Sequence, residues 1–333
     1  MAGASVTLTE IEAARAVIAP QILRTPMASS PSLTEKTGVP VHLKLEHRQI
    51  TGAFKLRGAL NALSRLSPDE RQRGVVTAST GNHGRALAYA AGLQGVRSII
   101  CMSNLVPGNK LDEIRRLGAE IRIVGQSQDE AQQEVEKIVA QDGLVMIPPF
   151  DSSAIIAGQG TIGLEIIEEV PDVETVLVPL SGGGLISGIA AAIKALKPKT
   201  KIIGVSMQNG AAMAASLKAG HPVKVAEQAS LADSLGGGIG LDNHVTFHMV
   251  RDLVDEAVLL TEDEIAAGIV HAYIQEREII EGAAAVGIGA LLAGKIRLQG
   301  PVVALLSGRN IDMDQHRRVI AKHYAKGSVP CPA

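Results

Sequence analysis

Lys55 stands in the stretch TGAFKLRGAL directly after Phe54, one of only 3 phenylalanines in a chain with 3 tyrosines and no tryptophan. A solvated lysine amine titrates near ~10.4 and is protonated at neutral pH, whereas burial or a neighbouring cation lowers that value and opens Schiff-base chemistry. Gly52 and Ala53 leave room beside it, Phe54 offers a face to a flat ring, and Arg57 lies two positions on. A lysine on an ordinary helix surface is the other reading of this stretch alone.

Two further stretches are built to meet anions. In VLVPLSGGGLISGIAAAIKAL, Gly182, Gly183 and Gly184 stand between a β-branched run and a helical pattern. Missing side chains let backbone N–H groups approach a phosphate, and the start of a helix adds partial positive charge. A plain strand-to-helix turn uses the same residues. A Walker A loop is excluded, because Gly188 is followed by Ile189 and Ala190 where that loop needs lysine and a hydroxyl. The dinucleotide fingerprint fails on spacing and on the missing acidic residue in GVSMQNG. In TASTGNHGRALAYAA, the residues Ser79, Thr80, Gly81, Asn82 and His83 again follow a β-run and precede a helix. Hydroxyls, an amide and free N–H groups there suit a carboxylate, with simple capping by Ser79 or Thr80 as the alternative. Two such turns imply a ligand carrying a phosphate and a carboxylate, or two ligands carrying one each.

The surrounding pattern dictates what holds these turns. From residue 74, short β-branched runs (GVVTAST, VRSIICM, EIRIVG) alternate with helical patterns (GNHGRALAYAAGLQG, PGNKLDEIRRLGA, DEAQQEVEKIVAQDG). That is repeated β-α-β, hence a parallel sheet. The prolines and serines of MIPPFDSSAIIAGQG read as a crossing, after which a second series follows: TIGLEIIEEV as helix, ETVLVPL as strand, a helix from the glycine turn, and TKIIGVSM as strand. HMVRDLVDEAVLLTEDEIAAGIVHAYI supplies helix, strand and helix, with Thr261 and Glu264 spaced as a capping box, and GPVVALLSG is a buried strand. Two α/β units imply a cleft between them for a small molecule.

The apolar content, 46%, is carried by Ala, Val, Ile and Leu, which suits helices packed on parallel strands. Thirty-two basic against 34 acidic residues give a net charge of -2, which leaves no global field for nucleic acid or an anionic membrane. Cys101 and Cys331 are too few for a disulfide framework, and no uncharged apolar run is long enough for a membrane span. With no signal peptide at the N-terminus, a cytoplasmic location is expected.

TGAFKLRGA, STGNHG, SGGGL and LSGRN, in that order, resemble the fold type II pyridoxal-phosphate enzymes, specifically the threonine/serine dehydratase and serine racemase family, over roughly residues 20 to 322. The resemblance implies a tryptophan synthase β-like α/β fold with two open twisted domains and a cofactor cleft between them. It implies a large cofactor-binding domain (1–72 with 150–325), a small substrate-carboxylate domain (73–149) and a tail (326–333). Lys55 is then the residue that bonds the cofactor aldehyde and moves the substrate Cα proton, with Phe54 beside the pyridine ring and Asn82 on the ring hydroxyl. Gly182, Gly183, Gly184 and Leu185 cradle the phosphate, and Ser307 faces the pyridine nitrogen. Ser79, Thr80, Gly81, Asn82 and His83 hold the substrate carboxylate. A hydroxyl at Ser307 makes the ring a weaker electron sink than a carboxylate partner would, which favours β-elimination of an L-β-hydroxy amino acid over transamination.

Several positions depart from the family pattern. Thr80 stands where serine racemases carry a serine acting as the second acid/base; its hydroxyl could move a proton, which makes it a candidate catalytic residue beside Lys55, but its methyl group crowds the same face, so racemisation is expected to yield to elimination. Ser206 and Ala212 stand where metal-binding members carry acidic ligands, so no divalent ion is expected there. His244 and His248 lack the glutamate of HExxH and are expected as a pair on a helix face. Ser181, Arg309 and IIEGAAAVG, with Glu281, alter loops expected to face the cofactor, and together with HRQITGAFKLRGA they resemble the branch associated with hydroxyectoine utilisation. Arg309 either meets a second carboxylate or phosphate or faces solvent. The family also implies a homodimer or homotetramer. The short KGSVPCPA ending implies no C-terminal regulatory domain and no feedback inhibition by isoleucine.

Overall fold

The computed structural model describes residues 5–79, 81–104 and 108–325. Its ten strands are β1 (Met27–Ser29), β2 (Val41–Lys44), β3 (Val75–Ala78), β4 (Ser98–Met102), β5 (Glu120–Ile123), β6 (Val145–Met146), β7 (Thr175–Pro179), β8 (Lys201–Met207), β9 (Glu256–Leu260) and β10 (Val302–Leu305). They form a six-stranded sheet in the order β1-β2-β10-β7-β8-β9 and a four-stranded sheet in the order β5-β4-β3-β6. Only β1 is antiparallel to its neighbour; every other pair is parallel.

Parallel strands need helical crossovers, which cover both sheet faces and bury the strands. Accordingly β3, β4, β7 and β10 are buried at every position. The edge strand β5 stays partly exposed. The strands and helices read from residue 74 onward appear at their expected places. The helix over Asn82–Gln94 ends at Gly95, whose φ of 65° is the left-handed conformation a C-terminal glycine takes most easily. Thr261 and Glu264 make both hydrogen bonds of the capping box.

Three expectations are corrected. MIPPFDSSAIIAGQG is not all crossing, because a 17-residue helix runs over Ser153–Glu169. Its glycines, poor helix formers by themselves, are retained for contact: a Cβ on Gly158 would lie 2.6 Å from the Arg57 carbonyl oxygen. IIEGAAAVG is likewise not a loop throughout, since Glu281 is the N-cap of the helix Gly282–Leu292. The helix that carries His248 spans Thr246–Leu253, so His244 precedes it and the two imidazoles do not share a helix face. His244 instead donates its backbone N–H to the Asp151 carboxylate, 2.8 Å away.

Candidate active site

The described candidate residues lie beyond the carboxyl ends of parallel strands, where open α/β sheets form their ligand crevices. Ser79 follows β3, Gly182–Gly184 follow β7, and Ser307 follows β10. Lys55 opens the helix Lys55–Ser64, reached from β2 through a short turn at Glu46–Arg48.

The Lys55 amine donates a 2.7 Å hydrogen bond to the Pro149 carbonyl and lies 5.2 Å from the centroid of the Phe54 ring. Lys55 is half-buried as a residue, yet the crowding around its amine pushes its pKa down to about 8, with the Glu281 carboxylate opposing that fall. Arg57 is not the cause. Its guanidinium turns away into a buried network with Glu46 and Glu165.

Pro149 connects the lysine to the glycine turn. The next residue, Phe150, packs so closely on that turn that a Cβ on Gly182 would come within 2.4 Å of its ring. Gly183 has φ 90°, and a Cβ there would meet Met213, Thr246 and Val250 within 3.0 Å. The helix Gly184–Leu196 therefore begins with backbone alone, and no side chain caps it. The N–H groups of Gly184, Leu185 and Ile186 have no intrahelical partner, and with the helix dipole they make a setting suited to an anion.

Phe54 donates its N–H to the Ser307 carbonyl at 3.0 Å, and Ala53 forms an antiparallel bridge with Gly308. Ser307, 3% exposed, is thereby held beside the lysine turn. Among the described residues its hydroxyl makes no hydrogen bond.

The second polar turn divides its residues between tasks. Ser79 Oγ accepts from the N–H groups of Gly84 (3.1 Å) and Gly81 (3.4 Å), which stabilises the helix start. Asn82 Nδ2 donates to Glu281 at 2.8 Å, and Asn82 Oδ1 accepts from Asn310 at 2.6 Å. The His83 imidazole is buried, with Nε2 2.9 Å from the Ile147 carbonyl. Burial first, and the Lys55 charge second, push its pKa to about 3. A neutral ring must carry its proton on Nε2 to pair with a carbonyl, so its side chain is engaged with the segment after β6 that also holds Lys55 through Pro149. Thr80 lies outside the described residues.

Pro149, Phe150 and Asn310 were given no role in the site, although Asn310 closes the motif LSGRN and the other two lie in MIPPFDSSAIIAGQG. The rarity of phenylalanine was the available signal for Phe150; nothing local marks a carbonyl such as that of Pro149 as a lysine anchor. Arg309 is exposed and lines a cavity of about 690 Å³ together with Arg85, Arg277 and Arg318. That cavity shares Glu281 and Asn310 with the site but contains neither Lys55 nor the glycine turn.

Residues 18–308 match the family described as pyridoxal-phosphate dependent enzyme. The chain belongs to that family. A Sinorhizobium fredii protein provisionally assigned as a threonine dehydratase is 63% identical over 317 residues, 95% of this chain and 96% of its own. A Thermotoga maritima L-threonine ammonia-lyase is 42% identical over 322 residues, 96% of this chain and 80% of its own. The solved structure of maize serine racemase superposes with a TM-score of 0.90 at 32% identity, covering 98% of this chain and 100% of that one. The enzyme is thus a fold type II member of the lyase class with pyridoxal phosphate as cofactor. No helix among its described residues is long and apolar enough to cross a membrane.

Proposed function

We propose that the enzyme eliminates water from an L-β-hydroxy amino acid of the threonine and serine class, giving a 2-oxo acid and ammonia. The observation that carries this reading is the Lys55 amine held 2.7 Å from the Pro149 carbonyl beside an uncapped glycine turn, with Phe150 joining the two. These residues fit pyridoxal phosphate: the turn suits a dianionic phosphate, and the hydroxyl of Ser307 has hydrogen-bonding capacity to offer a ring nitrogen.

When bound, the cofactor supplies an aldehyde that captures amines and a ring that draws electrons from the Cα bonds. Gly182, Gly183, Gly184 and Leu185 would hold its phosphate through backbone N–H groups, Lys55 would take its aldehyde, Phe54 would lie beside its ring and Asn82 would meet its ring hydroxyl. The N–H groups at the start of the Asn82–Gln94 helix, with Ser79 and Gly81, orient the substrate carboxylate. His83 contributes its backbone there and lends its ring to the strand behind. Freed Lys55, an amine half-neutral near pH 8, removes the Cα proton. The β-hydroxyl leaves as water, taking up one proton to balance the one that Lys55 removed from Cα, and the enamine left behind is hydrolysed to 2-oxo acid and ammonia. In this reading residues 73–149, which hold the whole four-stranded sheet, act as the carboxylate-binding domain against the rest of the chain.

The test is a substrate panel of L-threonine, L-serine, 3-hydroxyaspartate and a hydroxyectoine-derived amino acid, assayed for ammonia and 2-oxo acid. Turnover of threonine or serine is expected; release of neither product from any member refutes the reading. The likeness to maize serine racemase supports a second reading, racemisation, which the same assay measures as D-serine formed per pyruvate released. Elimination is expected to exceed it.

The lysine also sets a pH dependence. Covalent capture of pyridoxal phosphate by the apoprotein needs the neutral amine, so its rate is expected to rise with pH through a midpoint at about 8. A midpoint near the value of a solvated lysine contradicts the buried setting. The linkage has the matching sign: the folded state releases this proton at lower pH than the unfolded chain, so the desolvation cost falls as pH rises from about 8 toward the unfolded value.

A further inference from the structure

The side chain of Asn82 belongs to a hydrogen-bonded chain of four residues whose direction is forced by its two ends. At one end Arg85 NH1 donates to Asn310 Oδ1 at 2.9 Å. Asn310 Nδ2 then donates to Asn82 Oδ1 at 2.6 Å and to the Thr51 carbonyl at 3.0 Å. At the other end Asn82 Nδ2 donates to Glu281 Oε1 at 2.8 Å, while Glu281 Oε2 accepts the Asn310 backbone N–H at 3.1 Å.

A guanidinium only donates, and an ionised carboxylate only accepts. Turning over the Asn310 amide would set nitrogen against Arg85 and oxygen against the Thr51 carbonyl. Turning over the Asn82 amide would set oxygen against Glu281 and nitrogen against the nitrogen of Asn310. Each reversal thus places like ends together at least twice, so contacts and not an arbitrary choice decide which atom of each amide is nitrogen. Glu281 is itself fixed: it is 4% exposed, and its backbone N–H donates to the Gly308 carbonyl at 3.1 Å, in the turn that carries Ser307.

We infer that Glu281 and Asn310 are positioning residues that lock the Asn82 carboxamide with its nitrogen presented as a donor to the ring oxygen of the cofactor. One N–H of Asn82 is spent on Glu281 and the other remains to donate, so the ring oxygen is the acceptor in that contact. The inference rests on the proposed reading of the site, with Asn82 at the ring hydroxyl. It assigns work to Glu281 and Asn310, which make no contact with the Lys55 amine among the described hydrogen bonds, and it makes the direction of the chain the property that matters.

The discriminating experiment uses full-length N310D, E281Q and the N310D/E281Q double variant beside the wild type. Each apoprotein is titrated with pyridoxal phosphate and with its analogue lacking the ring hydroxyl, and its melting temperature is measured. The carboxylate introduced by N310D keeps Arg85 but cannot donate, so in that variant the Asn82 amide meets acceptors at both ends. Melting temperature is expected to fall, and pyridoxal phosphate to bind roughly tenfold or more weakly, the value of about one buried hydrogen bond. In the double variant the amide introduced by E281Q can donate and the carboxylate introduced by N310D can accept, so the chain re-forms in reverse with Asn82 turned over. Melting temperature is expected to recover in part, whereas pyridoxal phosphate affinity stays low and its absorbance band stays shifted. The analogue without the ring hydroxyl is expected to bind wild type and double variant alike.

A purely structural role predicts that affinity returns together with melting temperature, and that result overturns the inference. So does N310D binding pyridoxal phosphate as tightly as wild type, or the analogue separating the variants as pyridoxal phosphate does. Failure of the wild type to capture pyridoxal phosphate overturns the site reading and the inference with it, which distinguishes the two failures.

Discussion

Lys55→Ala is expected to lower turnover by at least about a thousandfold, because one change removes both the covalent anchor for the cofactor and the proposed base. The geometry leaves little to compensate. Among the described residues the Lys55 amine makes one hydrogen bond, to Pro149, and the other buried nitrogen base nearby is His83, whose Nε2 is held by the Ile147 carbonyl. The fold is expected to survive, since the lysine is half-buried and its helix is anchored by the residues that follow it. Three measurements separate the causes: ammonia release, the absorbance band of the covalently held cofactor, and the far-ultraviolet dichroism. Partial rescue by a small primary amine added to the variant would show that an amine, and not the packing of the side chain, is what was lost. Full turnover with an unchanged band in Lys55→Ala would remove the site assignment altogether.

The largest expected effect on stability comes from Arg57→Met, two residues away and pointing the other way. Arg57 is wholly buried and uses its guanidinium fork fully: Nε and NH2 donate to Glu46 at 2.9 and 2.8 Å, and NH1 and NH2 donate to Glu165 at 2.6 and 3.0 Å. NH1 also reaches Thr161 at 3.1 Å. Although burial opposes its charge, the two carboxylates raise its pKa above the ordinary arginine value. Lys44, equally buried, pairs with Glu165 at 2.7 Å, so two cations face Glu46 and Glu165 in the interior. Removing Arg57 leaves Glu46 without its bidentate partner in a site that water does not reach, and the expected loss is about 3–5 kcal/mol of folding stability. Chemical denaturation of the apoprotein measures it. A loss under about 1 kcal/mol would mean that Glu46 takes up a proton or finds water on removal of the arginine. Replacing Arg57, Glu46 and Glu165 together by apolar residues of similar volume is expected to recover much of the loss, because no charge is then stranded.

The chemistry of this chain was legible wherever it depends on local backbone. Small residues between a β-run and a helical pattern announce a turn that exposes N–H groups, and the uncapped start of the Gly184–Leu196 helix has that form. The capping box of Thr261 and Glu264 and the alternation of strand with helix are local as well, and they appear where expected. The first half of the helix at Ser153–Glu169, before the stretch TIGLEIIEEV, was missed because its glycines lower local helix propensity, while the gain they allow, contact with the Lys55 helix, lies about a hundred residues away in sequence.

Partnership was settled only by tertiary structure. Residue types made Lys55 a candidate nucleophile and Arg57 the nearest cation to perturb it; packing depresses the lysine by burial and turns the arginine toward Glu46 and Glu165 instead. Glu281 looked like a change in a loop, yet it caps a helix and receives the Asn82 amide from 199 positions along the chain. Sequence determines which groups exist and what the backbone does around each of them. Which charge meets which depends on the energy of desolvating them together, and that is fixed only when distant segments close on one another.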